Sequence, residues 1–307
     1  MKTIHNIEIA IGVLCIAILA ASCVPESQTM GDAGQTLVKL YPGGFKLVAF
    51  DAKSISQSAL LFEVRRDVNN EAALNSTTTV ELTLDQAVLD AYNTANGTHF
   101  VLLPTNLGTT NPTVTSGKMT ITFSPGEFAK SIVITCPNTN GFDFSKSYAF
   151  GFKVTSVSGT GTLSQAVSDK VVAQVLVKNA FDGKYLMKGF IMRPGDTGGL
   201  EGYFKDFKHT LSTSGAKSVK MSPNQLWANG GGVAGIGTWE ITVNDAGTPP
   251  WPITVTDPVA VNWLMDPTYP NRYDPAKKTF YFKVNWGATI PYIRGCTDTL
   301  VYSGPSK

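Results

Sequence analysis

Short segments in which apolar and polar residues alternate recur along this chain, each closed by turn-forming residues, and that pattern restricts it to β-sheet architectures. Thr36–Tyr41 runs into Pro42-Gly-Gly44 and then Phe45–Phe50; Ala59–Val64, Thr77–Thr83, Met119–Phe123, Ser131–Thr135, Tyr148–Val154 and Val171–Val177 follow. A side-chain period of two sets one face of each segment on a core and the other in water. Eight such strands, spaced by turns, predict a β-sandwich of immunoglobulin-like size over residues 35–178. One segment breaks the period. Leu84, Val88, Leu89 and Tyr92 share a helical face, with Asp85 placed to cap its start and Asn96-Gly97 to stop it. This short helix is expected to lie across one end of the sandwich.

Near Asn179-Ala-Phe-Asp-Gly183 the character changes. All five tryptophans and seven of the ten tyrosines lie beyond residue 180. Alternating segments at 184–193, 202–211, 218–221, 238–243, 253–256, 279–285 and 299–302 are separated by loops such as Gly230-Gly-Gly232 and Thr248-Pro-Pro-Trp-Pro252. Residues 179–307 therefore read as a second β-domain. Either an up-and-down barrel of lipocalin type or another sandwich satisfies the pattern. The fold class is all-β, with one short helix.

The first 22 residues carry a different message. Lys2 precedes an uncharged run, Ile9–Ala21, too short for a spanning helix of roughly twenty residues and fitted to a secretory signal. It closes on Leu19-Ala-Ala-Ser-Cys23, which resembles the lipobox of bacterial lipoproteins. That resemblance implies cleavage before Cys23 and acylation of its thiol, giving more than one chain for stable membrane anchoring. Residues 23–34 are small and polar and read as a tether. Of the other cysteines, Cys15 leaves with the signal, while Cys136 and Cys296 fall in different predicted domains and are expected to be buried free thiols. The formal charge of +2, with no basic cluster in the sequence, argues against a nucleic-acid partner.

The stretch Asp90-Ala-Tyr-Asn-Thr-Ala-Asn-Gly-Thr98, followed by Leu102-Leu-Pro104, resembles the "YN..NGT.Y..LP" segment in the N-terminal β-domain of Bacteroidota surface lipoproteins. The same module precedes some family 18 glycoside hydrolases. The likeness extends to Phe123-Ser-Pro-Gly126 and Ser147–Val157, where Gly151 stands in place of the usual Pro-Leu. Asp182-Gly-Lys-Tyr185, Tyr273–Trp286 and Asp298–Tyr302 are similar to the family's C-terminal partner domain. The resemblance implies an outer-membrane lipoprotein at the cell surface, capturing glycan or adhering beside an importer complex of the starch-utilisation type.

Residues for chemistry are sparse. After the signal only His99 and His209 remain, and no Gly-x-Ser-x-Gly elbow, His-Glu-x-x-His helix, phosphate loop or Cys-x-x-Cys pair is present. His99 reads as a turn residue and His209 as a solvated or rim residue. The clustered acids of a family 18 barrel are missing, and residues 179–307 are too few for a barrel of about 250 residues. No catalytic residue, metal ligand or cofactor is assigned, and the chain is expected not to be an enzyme. Binding is better served, because sugar rings stack on aromatic faces while amides and charged groups meet their hydroxyls. Trp239 and Trp286, inside strands, read as core. Trp227, Trp251 and Trp263 in loops, with Tyr269, Arg272 and Tyr273 beside them, are the ligand-binding candidates. The expected function is non-catalytic glycan capture accessory to polysaccharide uptake. An adhesin contacting protein partners is the alternative, and a small glycoside hydrolase is the least favoured reading.

Overall fold

A computed structural model describes residues 34–164, 169–287 and 294–306. The expected signal segment, Cys23 and all of the tether before Gly34 lie outside the described residues.

The first half is a two-sheet sandwich. Strands β1 (Leu37–Tyr41), β3 (Gln57–Asp67), β6 (Thr109–Asn111), β8 (Ala129–Cys136) and β10 (Thr162–Leu163) form one sheet in the order β10-β1-β3-β8-β6. The facing sheet is β2 (Gly44–Asp51), β11 (Lys170–Lys178), β9 (Ser147–Gly159), β4 (Thr78–Leu84) and β7 (Lys118–Phe123), with β5 (Phe100–Leu102) added beside β9. Inward positions of the two sheets meet in one core: Val38, Leu40, Phe62, Val64, Ile132 and Ile134 from the first pack on Val80, Leu82, Ile121, Phe150, Phe152 and Val175 from the second. Arg66 is buried among them at 1% exposure. Its guanidinium donates to the carbonyls of Leu74, Ser76, Ser124 and Glu127 and to the Thr78 hydroxyl. It thereby ties the loop after β3, which holds the single-turn helix α1 (Glu71–Leu74), to the β7–β8 turn.

Helix α2 (Gln86–Asn96) begins where Asp85 accepts the amide of Ala87 at 2.8 Å and ends at Gly97, whose φ is 63°. It does not lie across an end of the sandwich. It sits on the outer face of the second sheet, where Val88 and Leu89 cover Ala149 and Val172. Small residues make that seat. A Cβ on Gly151 would approach the Asp85 carbonyl oxygen to 2.8 Å, so glycine lets the helix come down on the strand. The near-continuous apolar run of β9 follows, since both of its faces are covered. Asn93 then fastens the helix to β5: its amide donates to the Phe100 carbonyl, and its side-chain oxygen accepts the Phe100 amide and the Thr98 hydroxyl. Tyr92 stacks on Phe45 at 5.4 Å. The distinctive Tyr-Asn…Asn-Gly-Thr segment is thus a structural clasp, and His99 is exposed in its turn.

Asn179 stands at the join of the two halves. Its side chain donates to the carbonyls of Gly215 and Ser218 and accepts the Phe181 amide. Beyond it, β12 (Gly183–Met192), β13 (Gly202–Thr213), β14 (Ser218–Ser222), β15 (Glu240–Val243) and β16 (Trp251–Thr256) form an antiparallel meander. β17 (Leu264–Met265) and β18 (Arg272–Asp274) lie end to end along one side of β19 (Thr279–Trp286), while β20 (Arg294–Gly304) pairs with both β19 and β12. That last pairing closes the ring, so the two architectures compatible with the sequence resolve to an up-and-down barrel. Its interior is filled by side chains, among them Tyr185, Met187, Trp239, Ile241, Phe280, Phe282, Trp286 and Leu300.

His209 corrects a sequence expectation. It is 2% exposed, its Nδ1 lies 2.9 Å from the Pro223 carbonyl oxygen, and its Nε2 has no partner. The cause is a bulge: Asp206 has a φ of 61°, and the β12 register skips beside it. One extra residue flips every later side chain to the other face, turning His209 inward. Burial lowers its pKa, against a smaller opposing effect of the Pro223 bond. Cys136 and Cys296 are buried free thiols in separate cores.

Candidate functional site

The barrel disperses the six aromatic and cationic candidates. Trp227 is buried at one end, its ring flanked by the guanidinium carbons of Arg193 at 5.1 Å and Arg294 at 5.8 Å. Trp263 is half-buried near the same end; one face lies on Trp286, its edge meets Trp239, and its indole N–H donates to the Val255 carbonyl. Trp251 and Tyr273 stand at the opposite end, next to the sandwich, with their rings near-parallel and Tyr273 buried against Phe181 and Phe280. Tyr269 is half-buried in the turn between β17 and β18, which Asn271 pins through the carbonyls of Asp266 and Tyr269. Arg272 reaches the outer wall, with Cζ 4.5 Å from the centre of the Tyr281 ring. Of these residues the structure brings Trp251 and Tyr273 into ring contact, while Arg272 lies over Tyr281 rather than over another candidate.

A different constellation forms on the outer wall where β19, β20, β12 and β13 lie side by side. Outward positions pair across these strands: Lys283 with Thr297, Thr297 with Phe190, and Phe190 with Tyr203. Phe190 and Tyr203 touch at 4.9 Å between ring centres, and Tyr203 is 87% exposed, more than any other large apolar or aromatic side chain among the described residues. Beside them a groove of about 250 Å³ is lined by Phe190, Met192, Lys283, Asn285, Cys296 and Thr297, with Gly295 at its floor. A Cβ on Gly295 would stand 2.4 Å from the Asn285 side-chain oxygen, so the groove depends on glycine there. The site therefore offers an exposed ring, a second ring behind it, an amide, a hydroxyl and an ammonium group. Lys283 is held by Asp266 at 2.8 Å, and that bond, with those from Thr268, keeps the Asp266 carboxyl well below the usual carboxylate range.

Sequence reasoning missed Phe190 and Tyr203 because aromatics inside strands read as core. The signal was nonetheless present in their phase. Phe190 shares the parity of Lys184 and Lys188, and Tyr203 that of Lys205, so each falls on the side of its strand that already carries charge.

Within the barrel, beneath this wall, lies a second polar group without a full set of partners. Asp298 is completely buried; one oxygen receives the Cys296 thiol at 3.0 Å and the other has no partner. Burial pushes its carboxyl up to about 7 and raises the Cys296 thiol further still. Among the described residues, no group of three His, Cys, Asp or Glu side chains gathers to hold a metal ion.

Comparison with known proteins bears first on the sandwich. Residues 48–161 match the model of a family of N-terminal domains. No curated protein matches the chain. Among solved structures, a protein of unknown function from Bacteroides ovatus is 12% identical and aligns over 89% of this chain and 96% of its own, with a TM-score of 0.55. The fold is shared. A second B. ovatus protein of unknown function is 14% identical over 87% of this chain and 89% of its own, with a TM-score of 0.47. An auxiliary nutrient binding protein from Bacteroides thetaiotaomicron is 12% identical over 84% and 90%, at 0.48.

Proposed function

We propose that this chain is a non-catalytic lipoprotein of the cell envelope that captures glycan on the outer wall of its barrel. In this reading Cys23 carries the lipid, residues 23–34 are the tether, residues 35–178 are a spacer module, and residues 179–307 hold the binding face at the cell surface beside an importer. The observation that carries it is Tyr203, almost fully exposed on Phe190 at the lip of a groove that also presents Asn285 and Thr297. A ring in water supports no core. It offers the flat apolar face that the C–H side of a sugar stacks on, while the amide and hydroxyl meet sugar oxygens. The described lining residues include no pair of carboxyl groups, which most glycoside hydrolysis requires.

Affinity gel electrophoresis against a panel of polysaccharides tests the reading with wild type, Tyr203→Ala and a Trp251→Ala, Trp263→Ala pair. Wild type is retarded by at least one polysaccharide, and Tyr203→Ala runs free. Retardation kept in Tyr203→Ala but lost in a folded tryptophan pair would move the site to the loops. Radiolabelled palmitate entering wild type but not Cys23→Ser supports the anchor. A second reading, a protein-contacting adhesin, is favoured by Val259 and Val261, each 60% exposed in one loop at the end of the barrel away from the sandwich. Protein partners that co-purify from membranes without any dependence on glycan would support it.

A further inference from the structure

The wall that bears Tyr203 is also cationic, and its charge is uncommitted. Lys184 and Lys188 in β12, Lys205 and Lys208 in β13 and Lys220 in β14 are all exposed on the outer face of three adjacent strands. None takes part in any of the ion pairs found among the described residues. Several cations elsewhere meet an acid: Lys39 with Asp67, Lys118 with Glu81, Lys130 with Glu127 and Lys217 with Asp245. The acids near the lysine wall are few. Asp206 is exposed in the β13 bulge, Glu201 accepts the Arg193 amide, and Glu240, opposite Lys220, takes the Ser214 hydroxyl.

Lys208 stands opposite Leu186, diagonally between Lys184 and Lys188, and such diagonal neighbours are about 7–8 Å apart. These three ammonium groups therefore lie within about one Debye length and repel. A wall meant only for solubility mixes both signs. A neutral sugar also gains little from ammonium groups that amides and hydroxyls could not supply. We infer that the ligand of the Phe190–Tyr203 wall is an acidic polysaccharide, whose carboxylate or sulfate groups meet the lysines while its rings lie on Tyr203. The inference rests on the glycan-capture reading and specifies its ligand class.

The experiment uses the mature chain with polygalacturonate (carboxylate arm), chondroitin sulfate (which adds sulfate), dextran and mannan (neutral arm), and polyglutamate as a polyanion without sugar rings. At low salt the acidic polysaccharides bind. Affinity falls as salt rises and drops about tenfold in Lys188→Gln, Lys208→Gln. It also falls in Tyr203→Ala. Preference for polygalacturonate or for chondroitin sulfate identifies which anion the wall recognises. Binding of dextran or mannan alone, unaffected by salt or by the lysine changes, overturns the inference and leaves glycan capture standing. Equal binding of polyglutamate, or acidic-glycan affinity unchanged in Tyr203→Ala, reduces the wall to an ion exchanger and overturns it as well. Retention by no polysaccharide removes the capture reading itself.

Discussion

The sandwich and the barrel are both closed over aromatic, aliphatic cores, yet they treat their surfaces differently. In the sandwich the most awkward cation, Arg66, is buried and saturated by carbonyls, and Lys39, Arg65, Lys118, Lys130 and Lys146 each meet an acid. In the barrel one wall leaves lysines unpaired and a tyrosine in water, while the interior keeps a carboxyl and an imidazole incompletely bonded. A module whose buried cation and most surface cations meet partners within it is built to hold its shape. Unsatisfied groups on a surface are free for something else to satisfy, and on the proposed reading that contrast separates spacer from reader.

The tryptophans make the contrast measurable, since all five belong to the barrel and their fluorescence reports it alone. The largest effect is expected from Arg66→Ala, which orphans several buried carbonyls and lowers sandwich stability by about 3–5 kcal/mol. Urea unfolding followed by far-ultraviolet circular dichroism will show the loss, while the tryptophan transition stays in place. If both transitions shift together, the modules unfold as one and the comparison fails.

Next comes Asp298→Asn. The buried carboxyl titrates near 7 against an ordinary value of 3.8, so the unfolded chain gives up its proton first as pH rises. Stability therefore declines between those two values and is flat above. His209, with its lowered pKa, acts in the opposite sense as pH falls below its usual value, and it is unchanged in the variant. The difference between variant and wild type isolates Asp298: near zero at pH 4 and on the order of 4 kcal/mol in favour of Asn at pH 8. An equal difference at both pH values would mean the carboxyl is not buried uncharged.

Gly151→Val is expected to cost about 1–3 kcal/mol by lifting α2 from its seat, seen in the circular dichroism transition and not in tryptophan fluorescence. Tyr203→Ala should change barrel stability by less than about 0.5 kcal/mol, as an exposed side chain does, while abolishing retardation in polysaccharide gels. A large stability loss there would return Tyr203 to a structural role and blur the distinction between the modules.

Much of this was legible in advance from local chemistry. The caps of α2 are Asp85 and Gly97 as the residue types demand, and Trp239 and Trp286 are buried where strand phase put them. The helix's resting place was not legible, because it depends on Ala149, Gly151 and Val172 forming a smooth seat across two strands. His209 was misplaced for a similar reason: nothing in Lys205–His209 announces the bulge at Asp206, and one unpaired residue inverts everything after it.

Alternation, turn chemistry and capping act over a few residues, so the succession of strands along the chain and the one amphipathic helix belong to the sequence alone. Closure of β20 onto β12 belongs to the tertiary structure, as do the scattering of Trp227, Trp251 and Trp263 between the barrel's two ends and the meeting of Phe190, Tyr203, Asn285 and Thr297 on one wall. Those relations join positions up to about a hundred residues apart in the chain. Register and closure, which depend on the whole ring of strands at once, decide which of them become neighbours.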